Sequence, residues 1–122
     1  MTFDDIYHYF QAPPPIYLSR EQAVCYILSV LLQGDSYGSK LVKHLTTEYP
    51  AYGLSETVLY GALQFLEEQG TIAAYWQRVK GRGRPRRMYQ IQDEARSQAE
   101  ELAGLWQQYL QRYGTSAGNS ER

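Results

Sequence analysis

Six of the chain's twelve lysines and arginines fall within ten consecutive residues, RVKGRGRPRR, from Arg78 to Arg87. Between Gln69 and Gln92 there is no Asp or Glu to offset them. Cations at this density suit charge-assisted hydrogen bonding to phosphate. The whole chain has a formal net charge of −1, so the patch is local and not a general coating for nucleic acid. Mixed charges would serve solubility as well as this uniformly positive run does. Phosphate contact by Lys80, Arg82, Arg84, Arg86 and Arg87 is the better account.

Other chemistries find little support. Catalysis needs a nucleophile beside a base, or a metal cluster. His8 and His44 lie in an N-terminal arm and on a helix surface without ligand spacing. The single Cys25 sits in the apolar run AVCYILSVLL and is expected to be buried. No enzyme activity, metal or cofactor is therefore expected. One cysteine and no recognisable signal peptide point to a reducing interior, the bacterial cytoplasm and nucleoid. The longest apolar run is too short to span a bilayer, which excludes a membrane role.

The elements that must hold the patch can be read from their caps and periods. Residues 1–18 form an arm in which Phe3, Ile6, Tyr7 and Phe10 keep helical spacing until Pro13-Pro14-Pro15 stops any helix. Ser19 and Gln22 make a capping box for a first, largely buried helix that Gly34 ends. Ser36 is a cap for a second helix, with Leu41, Val42 and Leu45 inward and Lys40, Lys43 and His44 outward. Ser55 caps a third, with Leu59, Ala62, Leu63 and Leu66 inward. Its outer face, Glu56, Thr57, Tyr60, Gly61 and Gln64, has no cation.

TIAAYWQRVK and RRMYQIQ flank GRGRP, which predicts a β-hairpin with the cations at its tip, away from any core. Asp93 caps a last helix of about twenty residues, roughly 30 Å long. On it Ala95, Ala99, Leu102, Trp106, Tyr109 and Tyr113 follow a/d spacing. So long a stripe on a terminal helix calls for a partner, most simply a second copy. Three helices and a two-stranded hairpin give a mostly α, α+β winged helix-turn-helix over residues 19–92. A dimerisation helix over 93–113 and a flexible tail over 114–122 complete the chain.

Three blocks carry a resemblance over about residues 20–110. DSYGSKLVKHL, LSETVLYGALQFLEEQGTI and RGRPRRMYQIQDEARSQAEELAGLWQQY are similar to the second helix, the third helix, and the wing with its following helix in PadR-type transcriptional regulators. The resemblance implies a homodimeric repressor on double-stranded DNA, with the third helix in the major groove and the hairpin on the backbone or minor groove. Within the family it extends to a branch tied to the cyanobacterial circadian clock, which implies a clock-gene promoter as target. Some relatives take aromatic compounds at the dimer interface; a small-molecule effector would then meet Trp106 and Tyr109, although nothing in the residues requires one. Gly61 and Asp93 depart from the usual pattern, and Gly61 costs about 1 kcal/mol of helix stability relative to alanine.

On this reading Thr57, Tyr60 and Gln64 supply hydrogen bonds or methyl contacts to base edges. Glu56 mainly favours the helix N-terminus. Lys40, Lys43 and His44 are candidates for phosphate contact, though a solvated face explains them nearly as well. Arg82-Gly83-Arg84-Pro85 is also the tetrapeptide of AT-hook peptides, in which glycine lets the chain lie deep in a narrow minor groove. The alternative is a winged-helix module for protein interaction or ligand sensing that reads no DNA sequence.

Overall fold

The computed structural model describes residues 1–81 and 83–113; Arg82 and the tail expected over 114–122 lie outside the described residues. Thr2 and Asp5 accept from each other's backbone N–H, at 3.2 and 2.8 Å, and start α1, Phe3–Gln11. Beyond the prolines, β1 (Ile16–Tyr17) pairs in parallel with β3 (Tyr52–Gly53), a contact between two-residue strands too short to leave a pattern. α2 (Arg20–Leu31) begins with the expected reciprocal box between Ser19 and Gln22. Six of its twelve residues are buried, so it forms the centre of the body.

Ser36 does not cap the next helix. It lies in β2 (Ser36–Tyr37), antiparallel to β5 (Pro85–Ile91) opposite Tyr89, with its side chain buried. Tyr37 therefore takes the N-cap position of α3 (Gly38–Glu48) and offers no side-chain cap. In α4 (Glu56–Glu68) the Ser55 hydroxyl accepts from the Val58 N–H at 3.2 Å, and Leu59, Ala62, Leu63 and Leu66 are buried as their spacing predicts. The hairpin is β4 (Ile72–Arg78) and β5 (Pro85–Ile91), paired from Ile72↔Ile91 to Arg78↔Pro85, so the three-stranded sheet has the order β2-β5-β4. The fold is thus the expected winged helix, with a third strand added.

Asp93 is not the cap of the last helix either. It opens a single 3₁₀ turn, Asp93–Ala95, which runs into α5 (Arg96–Tyr113). Much of the apolar stripe of α5 belongs to this chain's own core. Ala99, Ala103, Trp106 and Leu110 are buried, and α5 packs along α2. Trp106 is only 2% exposed. Its indole meets the edges of Tyr26, Tyr49 and Tyr52 at 5.7–5.9 Å between centroids and stacks on Tyr109 at 5.9 Å, geometries favoured by the ring quadrupoles. The Tyr26 hydroxyl donates to the Leu41 carbonyl at 2.6 Å, joining α2 to α3.

Candidate nucleic-acid interface

β4 and β5 carry the wing, and residues 79–81, 83 and 84 lie at its tip, where Gly81 takes the left-handed backbone (φ 78°) that the reversal needs. Lys80 and Arg84 are exposed there, as is Arg78 at the end of β4. Arg86 and Arg87, on β5, are not free. Arg86 lies with its guanidinium 3.9 Å from the centroid of the Tyr37 ring. Arg87 donates to Glu67 Oε1 at 3.1 Å and lies 5.4 Å from the Trp76 ring and 5.8 Å from that of Tyr89. The expectation that every wing cation projects away from the body is corrected here: the hairpin register turns Arg87 toward an acid of α4. At 42% side-chain exposure it keeps an open flank.

On α4, Glu56, Thr57, Tyr60 and Gln64 are exposed. Gln64 Nε2 donates along the helix to Glu68 Oε2 at 3.2 Å. Tyr60 leans across the first turn of α3, so that a Cβ at Gly38 would lie 2.5 Å from its hydroxyl. Gly61 faces the guanidinium of Arg20, whose nearest atoms lie 3.1–3.3 Å from where a Cβ would stand. The reading of α4 missed this cation because it comes from the first residue of α2. Lys40 and Lys43 are exposed on α3, whereas His44 is half-buried and stacks on Tyr26 at 6.4 Å.

Wing, α3 and α4 enclose a cleft of about 480 Å³. Tyr37, Gly38, Ser39, Tyr60, Arg84, Arg86 and Arg87 line it. Among the described residues no carboxylate does. The N-terminus of α3, which has no side-chain cap, opens beside it, where the helix dipole favours negative charge. Such a cleft suits a polyanion held against aromatic rims.

Of the residues expected on a dimer seam, Ala99 and Trp106 face α2, and Leu102 and Tyr109 are half-buried against the core. Ala95 is half-buried in the 3₁₀ turn and Tyr113 is exposed. Cys25 is half-buried rather than enclosed, because its side of α2 faces an open groove; burial still pushes its thiol pKa up.

The family model of the transcriptional regulator PadR-like family matches residues 27–101. The chain belongs to the PadR-like family. This PadR-like chain is similar over most of its length to two solved cyanobacterial structures. One is the circadian clock associated protein Pex from Anabaena, at 56% identity and a TM-score of 0.84, over 92% of this chain and 97% of that one. The other is Pex from Synechococcus, at 56% identity and 0.85, over 90% and 98%. A transcriptional regulator from Clostridium thermocellum shares the PadR-like fold at 29% identity and 0.62, over 76% and 90%. No curated protein matches significantly. Membership makes the chain a DNA-binding regulator of transcription and not an enzyme.

Proposed function

We propose that the chain is a homodimeric repressor that occupies the promoter of a circadian clock gene in the bacterial cytoplasm. The observation that carries the reading is the cleft between wing and α4, lined by three arginines and, among the described residues, by no carboxylate. The clock assignment rests on the likeness to the two Pex proteins. α4 enters the major groove, where Thr57 and Gln64 meet base edges, and Tyr60 borders the cleft. Lys80, Arg82, Arg84, Arg86 and Arg87 hold the backbone or minor groove, with Lys40 and Lys43 on flanking phosphates. The wing supplies affinity and α4 supplies sequence choice.

Replacing Arg82, Arg84, Arg86 and Arg87 together by Ala is expected to weaken promoter binding at least tenfold. It should also flatten the salt dependence, since each neutralised phosphate contributes a slope of about −0.9 in log K against log salt. With about three phosphates at each wing of a dimer, the wild-type slope from the wings is near −5. Titration of labelled promoter DNA over a salt series measures both quantities, and unchanged affinity would remove the wing from the mechanism.

A further inference from the structure

α1 is a folded helix with nothing to fold against. Its stripe of Phe3, Ile6, Tyr7 and Phe10 repeats at helical spacing, yet none of its nine residues is buried, and Phe3 and Phe10 are 80% and 78% exposed. A helix this short is marginal in water without a surface to cover its apolar side. Its own body is held off. Pro13-Pro14-Pro15 favours a stiff extended spacer, and β1 is anchored by Ile16 N–H to the Ala51 carbonyl at 2.8 Å and Leu18 N–H to that of Gly53 at 3.0 Å.

The same chain carries an uncovered concave surface. A groove of about 650 Å³ runs between α2, α4 and α5, with Val24, Cys25, Phe65, Leu102 and Leu105 along it. Arg20 and Glu21 stand at its rim. The first turn of α1 carries Asp4 and Asp5 and its last turn His8, charges that complement Arg20 and Glu21 at this rim. Both α1 and its spacer precede the family-matched residues 27–101.

We propose that α1 of each copy docks by Phe3, Ile6, Tyr7 and Phe10 into the α2–α4–α5 groove of a second copy, the two arms being exchanged. The inference rests on the homodimeric reading above and names the surface that builds the dimer. Its size is right. Aromatic side chains bury roughly 150 Å² or more each. Two arms with three apiece, and the grooves they fill, therefore remove on the order of 1,800 Å² from water, within the roughly 1,200–2,000 Å² of stable interfaces.

Cys25, the one cysteine of the chain, lies in the groove and serves as the reporter. In full-length Gln11→Cys, a flexible bismaleimide is expected to join the new thiol to Cys25 of the other copy and give a covalent dimer on a denaturing gel. The product should vanish in Gln11→Cys with Cys25→Ala. A cross-linked monomer would mean that the arm covers its own groove and would overturn the exchange, as would an uncross-linked chain. Independently, Phe3→Ser with Phe10→Ser changes only exposed side chains and is expected to raise the dimer dissociation constant at least tenfold in sedimentation. An unchanged constant, with promoter binding retained, would sink the exchange and leave the dimeric repressor standing.

Discussion

Tyr60 and Gly38 fit each other at the point where the second and third helices of the winged domain meet. A methyl group at Gly38 would lie 2.5 Å from the Tyr60 hydroxyl, 3.2 Å from its Cζ and 3.4 Å from a Leu59 methyl, so something must shift. The atom met is the far end of a half-exposed side chain, so the ring can swing aside at small cost. Gly38→Ala is therefore expected to lower stability by no more than about 1 kcal/mol in urea titration and to weaken DNA binding, because the displaced ring borders the arginine cleft. The cause is separable by a double-mutant cycle: Gly38→Ala should add little on a Tyr60→Ala background, whereas additive losses would locate the strain elsewhere. The block DSYGSKLVKHL marks the second helix in the sequence, but not why its glycine is needed. The partner ring lies a helix and a loop further on, and no local pattern links them. Gly61 is the same lesson in reverse. Its cost in a helix interior is legible from residue type alone, and the Arg20 guanidinium that occupies the space is not.

α5 is where periodicity was informative and still ambiguous. The a/d spacing correctly marks one face of the helix as apolar. It cannot distinguish a second copy from the chain's own α2, because both present the same complementary stripe. Ala99 and Ala103 are buried in the chain's own core, and their small side chains suit a close approach of α5 to α2. Trp106→Ala is expected to destabilise the fold by about 3–5 kcal/mol, the range for loss of a buried large aromatic, read from the urea midpoint. A loss below about 1 kcal/mol would mean that the Tyr26, Tyr49 and Tyr52 cage can close without it. The helix starts capped by Ser19 and Ser55 were legible because the caps act within three residues. β1, β2 and β3 were not, because two-residue strands carry no alternation and exist only through distant partners.

At the scale of the molecule, positive charge collects at the wing and phenols collect in the core. Burial, and then the hydrogen bond with Tyr109, pushes the Tyr52 pKa up to about 12, against 10.0 for the unperturbed group. Tyr26 is raised as well, first by burial. A raised pKa means that folding favours the neutral phenol. Its contribution to stability is fully present below about pH 10, where the unfolded chain is neutral too, and is lost as pH rises through about 12. The thermal midpoint is thus expected to stay level from neutral pH to about 9 and to fall between about 10 and 12. A midpoint unchanged at pH 12 would show that these phenols titrate alike in both states. The order of helices and hairpin, and the place of the cations, were legible along the chain. The return of Arg87 onto Glu67 was not, because it depends on hairpin register and on how α4 crosses the sheet.

That return has a mechanical consequence. Arg87 to Glu67 at 3.1 Å yokes the wing to α4, and the Tyr75 hydroxyl, donating to Asp35 at 2.6 Å, braces the same hairpin from the turn before α3. Together they make a caliper with a set jaw. Duplexes whose grooves already have the right breadth, or flex to it cheaply, would be gripped in preference to stiffer ones bearing the same letters at the touched positions.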